Sequence, residues 1–197
     1  MTVRLKPDTT AIDIAILPPE DVSARAIALS AALPAGESQG LLLGGDCLPH
    51  ITLTQQFVPA ASLDTLFAQL DHMLRDRAAL RLRVTGGGGS RSVWMSIERT
   101  PELVSLHDQL LHVTEPFEAT GDASAFFGED ARERDVRWVR EFRSESSFDR
   151  FTPHITLGHA SEPPVVEPVE FVATTIAVCH LGRFCTCRRI IRKWELP

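Results

Sequence analysis

No apolar run in this 197-residue chain approaches the roughly 20 residues needed to span a bilayer, so a membrane-spanning helix is excluded by length. Two basic residues, Arg4 and Lys6, lie near the N-terminus, but no apolar stretch follows that would make a secretory leader. A cytoplasmic location is the expectation. Positive charge is also in short supply. Twenty Lys and Arg stand against 26 Asp and Glu, and the net charge of −6 argues against a broad surface for long duplex nucleic acid. A small phosphorylated ligand needs only a few local donors and stays open.

Cysteine is sparse: Cys47, Cys179, Cys185 and Cys187, with no Cys-x-x-Cys spacing. Without a leader, a disulfide framework is not expected. Cys185, Cys187 and His180 would share a face if a hairpin turned at Gly182-Arg183. A fourth ligand is missing, so they read as small strand residues rather than a zinc site. The run Gly86 to Gly89 with Ser90 is not followed by Lys-Ser/Thr and leads into a strand. That excludes a phosphate loop and predicts a flexible hairpin tip.

What is present suits a globular protein. Apolar content of 44% and charge of 23% are ordinary, and the length fits one domain or two small lobes sharing a core. Residues 11–17 read as a strand ended by Pro18-Pro19, and residues 20–33 as a helix with Val22, Ala26, Leu29 and Leu33 on one face. A loop over 36–45 leads to a strand that continues to about Val58. The clearest helix covers 62–75, where Leu63, Leu66, Phe67, Leu70, Met73 and Leu74 recur at helical spacing. Strands follow at 80–84 and 93–97, then a helix from Thr100-Pro101-Glu102 to about Val113. His107 and His112 on that helix are five apart and read as structural or solvent-facing. Periodicity fails from 115 to 150, which predicts a long loop or lid with a short strand or helix near 136–142. Strands near 169–180 and 184–195 complete the chain as a closing hairpin. The order predicts an α+β class with antiparallel pairing.

One pentapeptide occurs twice: Pro-His-Ile-Thr-Leu, at 49–53 and at 153–157. Side chains alternate along a strand, so His50 and Thr52 share one face while Ile51 and Leu53 share the other. His154 and Thr156 stand in the same relation to Ile155 and Leu157. The same parity places His159 with the apolar pair and outside the site. If the two polar faces meet across a groove, two imidazoles and two hydroxyls surround a space that fits a phosphate. Histidine titrates near neutrality, so one ring takes a proton while the other gives one. Thr hydroxyls would donate to the non-bridging oxygens as charge builds there. A metal site on these faces would lack a carboxylate or third histidine.

With these two His-x-Thr strands, the chain resembles the two-histidine (2H) phosphoesterase superfamily, in its 2′-5′ RNA ligase-like and cyclic phosphodiesterase branch. Residues 11–17, the segment from Leu80 through Leu111 with Trp94, and the ending at Trp194-Glu195-Leu196 also look like the family's elements. The resemblance implies a single domain over 1–197, bilobal with pseudo-twofold symmetry, two mainly antiparallel sheets lining a central groove and helices outside. It implies His50, Thr52, His154 and Thr156 as the catalytic residues, with no metal and no cofactor. The implied reaction opens a 2′,3′-cyclic phosphate on an RNA 3′ end or nucleotide to a 2′-phosphate; we take His154 as base and His50 as acid, roles that the sequence does not fix and that exchange in the reverse reaction. Cleavage or joining of 2′-5′ linkages, or hydrolysis of a cyclic nucleotide signal, is the alternative within the class. A non-catalytic module that holds a nucleotide or RNA end is the alternative outside it. Arg140 and Arg143, from the stretch that departs from compact members, are candidates for substrate phosphate, and a monomer is expected.

Overall fold

The computed structural model describes residues 8–37 and 39–197. The stretch from Met1 to Pro7, read above for a leader, and Ser38 of the 36–45 loop lie outside the described residues. The elements run β1 (Thr9–Leu17), α1 (Glu20–Ala31), β2 (Ile51–Pro59), α2 (Leu63–Leu74), β3 (Leu80–Ile97), α3 (Pro101–Thr114), α4 (Glu133–Glu145), β4 (His154–Ala160), β5 (Val169–Ala173), β6 (Thr175–Gly182) and β7 (Thr186–Glu195). Two antiparallel sheets result, β2-β1-β6-β7 and β4-β3-β5. The class is α+β, as the pattern predicts, and each sheet contributes one His-x-Thr strand at an edge.

The second sheet is four strands wide because β3 doubles back on itself. Its first arm pairs with β5 through Leu80–Val84, its second pairs with β4 through Arg91–Ser96, and Glu98 N donates to Arg83 O between the arms at 2.8 Å. The turn falls at Gly89 and Arg91, which both take positive φ, at the C-terminal end of the predicted tip. Gly88 and Gly89 lie under a side chain. A Cβ on Gly88 would sit 2.6 Å from Trp94 Nε1, and one on Gly89 would sit 2.5 Å from the Trp94 ring. The glycines clear the space that the indole fills.

Two further expectations change. The strand predicted over 169–180 is broken at Thr174: β5 belongs to the second sheet and β6 to the first. Both halves are apolar, so periodicity carries no mark of a jump between sheets. The 115–150 stretch is also not one long loop. It holds short 3-10 turns and α4, whose Val139 and Phe142 are buried. Val139 joins Phe126, Phe57, Ala11 and Leu181 in a small core of its own on the flank of the first sheet. Asp135 caps this helix from its third position: its Oδ2 accepts from Arg132 N at 2.9 Å, and its carboxylate also pairs with the Arg132 guanidinium at 2.6 Å. Few apolar residues in this helix face inward, too few to read against so much charge.

The main core runs between both sheets and α1 to α3. Ile12, Ile14 and Ile16 of β1 meet Leu53 of β2, Met95 of β3, Leu103 and Leu106 of α3, and Ile155 and Leu157 of β4, all fully buried. Burial of each such side chain contributes about 1.5–3 kcal/mol. Thr100 caps α3 as predicted, its hydroxyl oxygen accepting from Leu103 N.

Candidate active site

Each repeated motif enters its sheet in the same way. Proline before the histidine fixes its own φ and holds the preceding residue extended, which turns that residue's carbonyl toward the imidazole. His50 Nδ1 donates to Leu48 O at 2.7 Å, and His154 Nδ1 donates to Thr152 O at 2.7 Å. With Nδ1 held as the donor, both neutral rings keep the Nε2 lone pair for the groove.

The strands then bulge at the same place. In β2, Thr52 pairs with Ala15 and Thr54 with Ile14, which leaves Leu53 without a partner residue. In β4, Thr156 pairs with Trp94 and Gly158 with Val93, which leaves Leu157 out. A bulge shifts the alternation by one residue. Gln55 and His159, five residues after their histidines, therefore return to the polar face. Strict alternation excludes His159, and the bulge overturns that expectation: His159 lines the groove beside His154 and Thr156. Gly158, at φ +152 and against Leu33, was the one signal of the second bulge. The first has no glycine.

Each carbonyl at a bulge is held by a helix of the other lobe. Ser30 of α1 donates to Leu157 O at 2.6 Å and accepts from Leu43 N at 3.0 Å. His107 of α3 donates through Nδ1 to Leu53 O at 2.6 Å, accepts through Nε2 from Phe148 N at 3.0 Å, and stacks on Phe151 with ring centroids 3.9 Å apart. The structural reading of His107 acquires a definite tautomer.

The groove is a cavity of about 860 Å³ that brings together all four motif residues, His50, Thr52, His154 and Thr156. Trp94 tilts against the His154 ring at 5.0 Å between centroids. The far wall comes from α4, which is longer than the short strand or helix expected near 136–142. Arg134, Arg137 and Trp138 of α4 line the groove together with Arg132 and Phe184, and the Arg132 guanidinium lies 3.9 Å from the Phe184 ring centroid. Arg140 and Arg143 are displaced from the site. They line a separate depression, where Arg143 pairs with Glu118 and donates to Leu111 O at 2.6 Å. Helical period explains this: positions 134, 137 and 138 share a face, and 140 and 143 fall on another. Composition marked a segment that reaches the groove, and the two arginines it singled out line a different depression.

Under His50 lies a residue that the sequence reading placed only in a strand. Asp13 of β1 is fully buried, and its Oδ2 accepts from Thr52 Oγ1 and from Gln55 Nε2, both at 2.7 Å. The same oxygen is 3.6 Å from His50 Nε2, while Oδ1 has no partner among the described residues. Burial pushes the Asp13 carboxyl up to about 7, against the lowering effect of the Gln55 and Thr52 hydrogen bonds. Burial pulls His50 down, and it pulls His154 down too, helped there by the positive charge that His50 can carry. Two such rings favour one shared proton over two. Asp13, His50 and Cys187 bring oxygen, nitrogen and sulfur atoms within 4.8 Å of one another. Burial holds the Cys187 thiol well above its ordinary range, and Asp13 is occupied by two donors, so the trio is better suited to protons than to a cation. His180, once considered with Cys185 and Cys187, turns instead to Ala125 O at 2.8 Å.

The family model of the 2′-5′ RNA ligase superfamily matches residues 44–178, a span containing both motifs. Similar solved structures include LigT of E. coli in complex with NADP+, at 20% identity over 95% of this chain and 98% of that one, with a TM-score of 0.61. The same protein with 3′-AMP aligns at 20% identity over 95% and 98% of the two chains, with a TM-score of 0.61. TT0787 of Thermus thermophilus aligns at 21% identity over 95% and 98%, with a TM-score of 0.55. No curated protein sequence matches the chain. At these identities the solved structures speak for the shared fold, and the family match, covering well over half of the residues, makes the chain a member of the 2′-5′ RNA ligase superfamily, the 2H phosphoesterases.

Proposed function

We propose that this protein is a metal-independent phosphodiesterase that opens 2′,3′-cyclic phosphates on RNA 3′ ends or nucleotides, leaving a 2′-phosphate. The observation that carries the reading is the matched pair of Nδ1 hydrogen bonds, at 2.7 Å to Leu48 O and to Thr152 O, which leaves two Nε2 atoms to exchange protons with a bound ligand. Neutral His154 takes a proton from water as the water oxygen attacks phosphorus. The bond from phosphorus to O3′ breaks, and His50, as imidazolium, gives its Nε2 proton to O3′. Thr156 is half-buried with no hydrogen-bond partner among the described residues, so its hydroxyl is available to a non-bridging oxygen. Each proton taken and given is accounted for by the two rings and water.

E. coli LigT, which shares this fold, has been solved in complex with 3′-AMP and with ATP, which supports a nucleotide as the ligand class. No described helix is long and apolar enough to cross a membrane. The cavity of about 860 Å³ is larger than one phosphate needs and leaves room for the sugar and base of a nucleotide.

A panel of 2′,3′-cyclic mononucleotides and 2′-5′ dinucleotides, assayed in chelator, tests the reading. Turnover of a cyclic phosphate to a 2′-phosphate is expected, with loss on the order of a thousandfold in His50→Ala and in His154→Ala. Binding without turnover would replace the enzyme with a nucleotide-holding module. Activity lost in chelator and restored by a divalent metal would overturn the metal-free mechanism.

A further inference from the structure

The two half-sites match in their histidines, their Nδ1 hydrogen bonds and their bulges, yet they differ at one register position. Opposite Gln55 in the first sheet stands Asp13, and opposite His159 in the second stands Ser92. The fold places a buried carboxyl under one histidine and a small hydroxyl at the equivalent point of the other lobe.

We propose that Asp13 is a positioning residue that makes the first half-site the proton-holding one: Asp13 and His50 carry a single proton between them, which leaves the pair through His50 Nε2. The assignment rests on the phosphodiesterase reading above. Its support is geometric. Asp13 Oδ2 is within 3.6 Å of His50 Nε2, close enough for its charge to favour the imidazolium and too far to divert Nε2 from the groove. Thr52 and Gln55, each at 2.7 Å, hold that oxygen in place, and among the described residues no cation other than His50 pairs with it. A buried carboxylate with two neutral donors and one orphaned oxygen is costly, which gives the pair reason to keep a proton.

The groups around Asp13 leave His50 as its proton partner near neutrality. Cys179 of β6 stands beside it in register, and Cys187 of β7 and Cys185 of the preceding turn lie near enough for their thiols to sense its charge. The Cys185 and Cys187 thiols are held well above their ordinary range, Asp135 lies beyond Cys185, and His154 faces His50 from the second lobe. Burial drives Asp13 up and His50 down, so the two compete for one proton in the same pH region. In a turnover His50 gives that proton to O3′, His154 receives one from water, and solvent carries it back to the pair.

The test is a titration of the His50 ring by imidazole ¹⁵N NMR, without substrate, in the wild type, in Asp13→Asn and in Asp13→Ser. The second variant matches the residue of the other lobe. A step near neutrality is expected at His50 in the wild type, shifted downward in both variants by about tenfold or more in proton affinity. In the rate profile the alkaline limb should move to lower pH, with kcat reduced by about tenfold or more and KM nearly unchanged. A His50 titration identical in wild type and variants would overturn the pair. Should neither variant fold, the Asp13 carboxyl ¹³C shift of the wild type decides: a midpoint near neutrality supports the pair, and one near the ordinary value of about 4 overturns it. Failure of this inference and of the reading beneath it are distinguishable. Active His50→Ala and His154→Ala variants would remove the phosphodiesterase mechanism and leave the NMR result standing. Inactive ones with an unshifted His50 would remove the pair alone.

Discussion

His107 Nδ1 donates to the Leu53 carbonyl at 2.6 Å, and the carbonyl it holds is the one that the bulge in β2 frees from the sheet. The bulge brings Gln55 back to the groove, so a helix residue outside the groove lining sets the floor beneath His50. His107→Ala leaves a buried carbonyl and the Phe148 N–H unpaired and opens a void against Phe151. A loss of about 2–4 kcal/mol is expected, read as a lower denaturant midpoint at unchanged slope. Ser30→Ala, at the matching bulge of β4, should cost about 1–3 kcal/mol by leaving Leu157 O and Leu43 N unpaired.

Acid should destabilise the protein through its histidines. Burial holds His50, His107, His154, His159 and His180 below the ordinary value of 6.5. A ring whose pKa is lower when folded is neutral at a pH where the unfolded chain is already charged. The unfolded state then binds more protons, so stability is complete above about 6.5 and falls as pH drops through the folded values. Thermal melts should show Tm falling from about pH 6.5 downward, and a flat profile across that window would contradict the burial.

Asp13 works in the opposite direction. Its carboxyl rises from 3.8 to about 7 on folding, so the folded state holds a proton that the unfolded chain has released. Stability falls as pH rises from 3.8 to about 7. Asp13→Asn should be more stable than wild type above about pH 7, and the gap should close toward about pH 4. Denaturation at both ends of that range measures the difference directly.

Gly88→Ala tests the seat of Trp94. The added methyl lies 2.6 Å from Trp94 Nε1 and forces the indole off the His154 ring. We expect a loss of about 1–3 kcal/mol in stability and a shifted tryptophan emission. Activity should fall because the neighbour that packs one side of His154 has moved. Unchanged emission would show that the arms of β3 part to accommodate the methyl.

The arginines of α4 separate by face. Arg137→Ala should raise KM for nucleotide substrates several-fold with little change in kcat, because its side chain lines the groove. Arg140→Ala should match wild type, since it lines a different depression. Steady-state kinetics on one cyclic mononucleotide separates the two.

Much of this architecture could be read from residue spacing. The helices over 20–33, 62–75 and 100–113 carried apolar residues at clean helical intervals, and Leu66, Leu70, Leu103 and Leu106 are buried where expected. The motif repeat named the four residues that meet in the groove. What escaped has physical causes. A bulge has no hydropathy signature, so strict alternation put His159 on the wrong face and gave Gln55 no role. Asp13 sits in the apolar run Ala11-Ile12-Asp13-Ile14-Ala15, where nothing local reports a partner on another strand 39 residues away. α4 buries Val139 and Phe142 among charges too dense to show a periodic face.

The two helix-to-bulge contacts cross between the lobes. α1 follows the first strand of one sheet and grips the motif strand of the other, while α3 does the reverse. A hinge that opened the groove would pull Ser30 from Leu157 and His107 from Leu53 together, stripping both bulges of their hydrogen bonds. The jaws are latched from behind. The two hydrogen bonds tie the width of the groove to the packing of α1 and α3, and the half-exposed Trp138 is among the side chains that line it.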